Sequence, residues 1–225
     1  MMKKLLLAVS LALAATGANA DVVSVSGNLT VLGGGTVDIV APANSWGPIA
    51  GIDELGYTSG YAGTLISNVT GTFTATYLGQ VAAYANFFLG GVNKLEGGRA
   101  LEGVGSITGI GNSISTSVTA GSAVNFAFGQ DNNGDGFNDL PLFNNGEANE
   151  ATRGILYFLN TYNLTDAGGR AFDFLIGYND DAFDADFDDY VVGVTAVPVP
   201  AALPLLASAL GLLGVSRRKG KVKAV

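Results

Sequence analysis

Residues 180–190 read DDAFDADFDDY: Asp180, Asp181, Asp184, Asp186, Asp188 and Asp189 crowd one short stretch, with no basic residue among them. Two unit charges about 6 Å apart repel by ~3 kcal/mol at an effective dielectric of ~20. If residues 182–188 are extended, Phe183, Ala185 and Phe187 face one side. Asp184, Asp186 and Asp188 then face the other, their carboxylates about 7 Å apart along the strand. Calcium takes six to eight oxygens at roughly 2.3–2.6 Å, and a D-x-D-x-D run that curls delivers three. A bound ion turns the repulsion into attraction, with Asp180 and Asp189 as flanking donors. The competing reading is a solvated acidic turn that discourages edge-to-edge sheet pairing.

A second oxygen-rich stretch is DNNGDGFND at residues 131–139. It matches the first nine positions of an EF-hand-like loop. Asp131, Asn133, Asp135 and Asp139 supply side-chain oxygens, Phe137 its backbone carbonyl, and Gly136 the sharp turn. The twelfth position is Leu142, where a bidentate carboxylate belongs, although Glu147 or Glu150 could substitute from further along. The alternative is a glycine- and asparagine-rich loop between strands.

Other chemistries fare worse. Cysteine and histidine are absent, which excludes disulfides, thiolate and imidazole metal sites, and Ser-His-Asp or Cys-His catalysis. Gly103, Gly105 and Gly109 miss the G-x-G-x-x-G spacing of a dinucleotide fingerprint. A glycosidase needs only two carboxylates, yet no spacing singles out a pair among Glu54, Glu96, Glu102, Glu147 and Glu150. Trp46 is the only tryptophan, and a packing role beside Pro48 suits it better than sugar stacking.

The elements that must position these oxygens read as strands. Phe73, Ala75 and Tyr77 alternate with Thr72, Thr74 and Thr76. Val124, Phe126 and Phe128 alternate with Ala123, Asn125 and Ala127. Phe172, Phe174 and Ile176 alternate with Asp173 and Leu175, and Tyr190, Val192 and Val194 with Val191 and Thr195. Period-two patterns bounded by Gly, Asn and Asp predict half-buried antiparallel strands. Further strand candidates are 28–32, 36–40, 64–69, 114–118 and 155–159, while 79–89 reads as a short helix or a crossing loop. The expected fold is all-β: a single antiparallel β-sandwich or jelly-roll-like domain over residues 21–196.

The chain begins with Lys3 and Lys4, an apolar run over 5–15, and the small-residue site Ala18-Asn19-Ala20. That is the layout of a signal peptide (1–20) read by the Sec translocon and cut by signal peptidase after Ala20. Of the basic residues, only Lys94, Arg99, Arg153 and Arg170 then remain in the body. They face nineteen acidic residues, a net charge of −15. Such a surface excludes nucleic acid as a partner and favours divalent cations.

At the other end, Val197-Pro198-Val199-Pro200-Ala201 opens an uncharged stretch long enough for a transient inner-membrane span. Arg217, Arg218 and Lys219 follow it. The basic cluster holds that end in the cytoplasm and leaves the body outside. A plain C-terminal anchor is one reading of 197–225. The order of proline motif, span and basic tail also resembles the PEP-CTERM sorting signal, in a V-P-x-P-A variant with Val199 where the common form has glutamate. That resemblance implies cleavage near the proline motif by an exosortase, in a Gram-negative bacterium that makes exopolysaccharide.

The body is similar to PEP-CTERM proteins that carry a D-x-D-F-D-D element before the last strand, here Asp184-Ala185-Asp186-Phe187-Asp188-Asp189 ahead of Tyr190. The segment from Thr76 to Phe88 resembles their "ylGxxAxxxNxF" stretch. One acidic position of their pattern is moved or lost at Gly177-Tyr178-Asn179-Asp180. This likeness implies export and surface association without an established catalytic activity. Taken with the acidic stretches, the expectation is a non-enzymatic protein of the cell surface or extracellular matrix, biofilm-associated, stabilised by calcium and bridged by it to acidic exopolysaccharide. A secreted carbohydrate-binding module or glycoside hydrolase is the alternative.

Overall fold

A computed structural model describes residues 22–39, 56–80, 82, 85–96, 110–131, 139–150, 153–180, 186–200, 205–206 and 208–213. Twelve strands run β1 Val22–Ser26, β2 Leu29–Asp38, β3 Ser59–Ser67, β4 Gly71–Gly79, β5 Ala85–Gly90, β6 Asn93–Glu96, β7 Ser113–Val118, β8 Phe126–Asp131, β9 Phe143–Asn144, β10 Gly154–Leu159, β11 Phe174–Asn179 and β12 Tyr190–Pro198. They form two sheets, one of eight strands in the order β1-β2-β3-β10-β11-β12-β4-β7 and one of four in the order β6-β5-β8-β9. Every pairing is antiparallel. The chain is all-β and sandwich-like, with an eight-plus-four division where a jelly roll has two matched sheets.

The alternating runs explain the main core. Phe73, Ala75 and Tyr77 of β4, Phe88 of β5, Phe126 and Phe128 of β8, Phe174, Ile176 and Tyr178 of β11, and Tyr190, Val192 and Val194 of β12 are buried in one cluster between the sheets. Phe128 lies at its centre. It stacks on Tyr178 with centroids 4.9 Å apart and planes 5° from parallel, and meets Phe88 and Tyr190 edge-on at 5.1 and 5.9 Å. Offset and edge-to-face contacts of this kind add roughly 0.5–1.5 kcal/mol each beyond area burial.

Three expectations change. First, β10, β11 and β12 are buried on both faces, not half-buried, because a second cluster covers the outside of the large sheet. It contains Leu156, Phe158, Phe172, Leu175, Phe187 and Val191. Phe172 therefore leaves the face of Phe174 and Ile176. Its ring lies over Gly193, where a Cβ would stand only 2.5 Å from it. Second, the stretch expected as helix or loop over 79–89 contributes a strand, β5, whose Asn86 and Phe88 face inward. Third, the segments 28–32 and 36–40 are one strand, β2, broken by a register shift between Leu32 and Gly35. Gly33, Gly34 and Gly35 all take positive φ there, and a Cβ on Gly34 would come within 2.5 Å of the Ala62 carbonyl carbon.

The proline motif begins inside the fold. Val197 pairs with Thr72 and Pro198 with Gly71, and the Val199 N–H donates to the Thr70 carbonyl at 3.0 Å. The last strand thus runs past residue 196. Residues 205–206 and 208–213 are helical with their leucines exposed. Among the described residues, no helix is long and apolar enough to cross a membrane. Ala18, Ala20, Ala201, Arg217, Arg218 and Lys219 lie outside the described residues.

Asp173 closes the far end of the large sheet. Its Oδ2 accepts from the Ala196 N–H at 2.9 Å, and Gly27 of the β1–β2 turn packs so closely that a Cβ there would overlap the carboxylate. Burial pushes the Asp173 carboxyl upward, against the pull of the Ala196 and Asn28 backbone N–H groups and of Arg170. A carboxyl whose pKa is raised by folding contributes stability that is complete below the unfolded value near pH ~4, and that stability is lost as pH rises through the folded value. Urea midpoints at pH 4 and 7 should therefore show Asp173→Asn gaining on the wild type as pH rises. A difference independent of pH would contradict this assignment.

Candidate functional site

Among the described residues five aspartates are buried: Asp131, Asp180, Asp186, Asp188 and Asp189, at 3–7 % exposure. Four amide side chains are buried as deeply: Gln80, Asn86, Gln130 and Asn179. Strand direction explains why they meet. Gln80 follows the end of β4, Gln130 and Asp131 end β8, and Asn179 and Asp180 end and follow β11. Asn86 opens β5, and Asp186–Asp189 lead into β12. In these antiparallel sheets, the C-terminal ends of β4, β8 and β11 and the N-terminal ends of β5 and β12 form one end of the sandwich.

The period-two alternation also sets which side chains face inward. Asn86 is two residues before Phe88, Gln130 two after Phe128, and Asp180 two after Tyr178, so each extends a core-facing row by one step. Register places Asn86 opposite Gln130 and Ala85 opposite Asp131. A polar, oxygen-bearing layer thus caps the aromatic core.

Hydrogen bonds join the two sheets here. Asn86 Nδ2 donates to Asp180 Oδ2 at 2.5 Å and to the Asp189 carbonyl at 3.1 Å. The Asp180 N–H donates to Asp189 Oδ2 at 2.8 Å. Burial pushes the Tyr178 hydroxyl well above its ordinary range; the Asp180 and Asp189 charges act in the same direction and Arg153 opposes them. With four basic residues for nineteen acids in the body, cationic side chains cannot match these carboxylates one for one. Lys94 pairs with Glu96 at 2.9 Å, and Arg153 with Glu150 at 3.5 Å.

The extended acidic ladder expected over 182–188 does not form through residues 186–188. Phe187 sits at φ +60°, in the left-handed region, and the Asp188 N–H turns back toward Asp186 Oδ1 at 3.4 Å. The turn buries Phe187 and both its acidic neighbours, where a strand would have set them on opposite faces. Gly177 makes this possible, since a Cβ there would stand 2.2 Å from the Phe187 carbonyl oxygen. Asp184, Asn133, Asp135 and Phe137 lie outside the described residues. Among the described residues, no three acidic side chains group closely enough to hold a metal by themselves.

Asp131 and Asp139 come to the same end as Asp180 and Asp189. The Asp139 N–H donates to the Gln130 carbonyl at 2.9 Å, and Gln130 pairs with Asn86, which bonds Asp180. Two acidic stretches read separately in the sequence thus converge. Asn86 and Gln130 escaped the sequence reading. Their signal was a polar residue at a core-facing step of an apolar alternation, next to Phe88 and Phe128.

Beside this end lies a cleft of about 680 Å³, lined in part by Gly34, Glu147, Glu150, Arg153, Asn179 and Phe187. Comparison with protein-family models, with curated proteins and with solved structures finds no match to this chain. The functional reading therefore rests on the residues themselves.

Proposed function

We propose that this is an exported, non-enzymatic protein of the bacterial surface or extracellular matrix whose acidic end is held together by calcium. The observation that carries the reading is the buried layer of Asp131, Asp180, Asp186, Asp188 and Asp189 with four amide side chains, an all-oxygen set on a body of net charge −15. Buried carboxylates are costly unless paired or metal-bound, and oxygen-only donors suit a hard cation. The proposed ligands extend to Asp184 and, from the second loop, to Asn133, Asp135, the Phe137 carbonyl and Asp139. Exposed acidic groups extend the same chemistry outward, with calcium bridging the protein to acidic exopolysaccharide.

Export proceeds through the Sec translocon, with signal peptidase cutting after Ala20. The tail at 197–225 is a PEP-CTERM-like address cut by an exosortase, and the span is transient. The cut lies near the proline motif, whose first residues Val197 and Pro198 are paired with β4.

Thermal melting with calcium and with EDTA tests the reading. At a free calcium concentration of one hundred times Kd, a single site adds about 2.7 kcal/mol, which for a body of this size raises Tm by roughly 5–11 °C. Equal melting points would remove calcium from the account, and an intact mass that still includes Arg217 would remove the sorting step. The cleft carrying Glu147 and Glu150 favours a second reading, a carbohydrate-binding or carbohydrate-cleaving module. It predicts release of reducing sugar that is lost in Glu147→Gln or Glu150→Gln.

A further inference from the structure

Asn86 is 1 % exposed, and its carboxamide orientation is fixed by its neighbours. Nδ2 faces two acceptors, Asp180 Oδ2 and the Asp189 carbonyl, so the nitrogen belongs there and the oxygen on the other branch. That oxygen, Oδ1, finds no donor among the described residues. A buried amide oxygen left without a partner costs about 1–3 kcal/mol, more than folded proteins ordinarily tolerate without an ion or a water. Amide geometry sets Oδ1 roughly 2.3 Å from Nδ2. The amide hydrogen cis to Oδ1, pointed at Asp180 Oδ2 with Nδ2 2.5 Å from it, would set the two oxygens about 3.4 Å apart. Two oxygens sharing a calcium at roughly 2.4 Å each can be up to about 4.8 Å apart.

We propose that Asn86 Oδ1 is an inner-sphere ligand of the cation and that, together with the carboxylates of Asp180 and Asp189, it makes the ion a staple between the two sheets. This rests on the calcium reading above and assigns its coordination. Asn86 belongs to β5 of the four-stranded sheet, whereas Asp180 and Asp189 flank β11 and β12 at the middle of the eight-stranded one. Among the described residues the carboxylates do not form a trio by themselves, so a neutral oxygen such as Oδ1 adds a donor they lack. The ion therefore couples sheet-to-sheet packing to cation concentration.

The test loads the purified full chain with Tb³⁺ in place of calcium. Tyr178, two residues before Asp180, and Tyr190, next to Asp189, serve as sensitisers. Luminescence lifetimes in H2O and D2O count the waters on the ion, and calcium titration against Tb³⁺ gives relative affinity. In Asn86→Ala the ion should carry about one more water, and affinity should fall roughly tenfold or more. Asn145→Ala removes a half-buried asparagine bonded to the Leu65 and Val124 carbonyls, and should lower stability without changing the water count. Asn86→Asp keeps an oxygen at the Oδ1 position while replacing the Nδ2 donor, and should retain the wild-type water count, which keeps the test decisive if Asn86→Ala does not fold.

An unchanged water count in Asn86→Ala, or an added water in Asn86→Asp, would overturn the assignment while leaving a calcium protein. Absence of any bound ion in the wild type would overturn the calcium reading itself, with Oδ1 then holding a buried water.

Discussion

Phe128→Ala should lower stability by about 3–5 kcal/mol, the usual range for removing a fully buried phenylalanine. In a body of this size that corresponds to a fall in Tm of roughly 6–20 °C. The ring is inaccessible to solvent and contacts both sheets, stacking on Tyr178 and meeting Phe88 and Tyr190 edge-on. Its loss leaves a cavity directly beneath the polar layer of Asn86, Gln130 and Asp180, so under the proposed calcium reading affinity for the ion should weaken along with the fold. Val92→Ala, at a side chain that is 99 % exposed, should stay within about 0.5 kcal/mol of wild type. Urea denaturation of both variants decides the matter. A Phe128→Ala midpoint matching that of Val92→Ala would mean that the two sheets do not share the core described.

Gly177→Ala is expected to cost roughly 3 kcal/mol or more, although it adds a single methyl group. The added Cβ would stand 2.2 Å from the Phe187 carbonyl oxygen and 3.2 Å from the Phe158 ring. Ordinary carbon–oxygen contacts are about 3.3 Å or longer, so the backbone must move by about 1 Å. That backbone is already held in the left-handed region at Phe187, between Asp186 and Asp188, and β11 is buried on both faces. Overpacking such a site costs about 1–3 kcal/mol, and more when the obstacle is main chain. The displaced turn carries two of the buried aspartates, so any rise in Tm with calcium, as proposed above, should shrink as well. Gly121→Ala is the control: its φ is +77°, with nothing within 4 Å of the added carbon, so only the conformational cost of about 1 kcal/mol applies. If Gly177→Ala costs no more than Gly121→Ala, the close approach of Phe187 to β11 is wrong.

The strands were largely legible because burial on one face writes itself as alternation. Phe73-Ala75-Tyr77 and Tyr190-Val192-Val194 point inward as their spacing requires. The pattern failed where both faces are covered. β10 and β11 lose their polar alternation, and Phe172 follows the slot above Gly193, not the row of Phe174. It failed again at residues 186–188, where a period of two implied a ladder and Gly177 permitted a turn. The register shift in β2 left only a run of glycines, which reads equally well as a loop.

The amino-acid sequence by itself determined the all-β class, the oxygen-only chemistry and the heavy negative charge, since these follow from residue types and short-range spacing. It also marked out both acidic stretches. Tertiary structure alone decided that Asp131 and Asp139 meet Asp180 and Asp189 at one end of the sandwich, and that Asn86 and Gln130 stand among them. The contacts that bring them together span 94 residues from Asn86 to Asp180 and follow from strand order. Strand order is set by how two sheets bury a common core, and no local pattern encodes it.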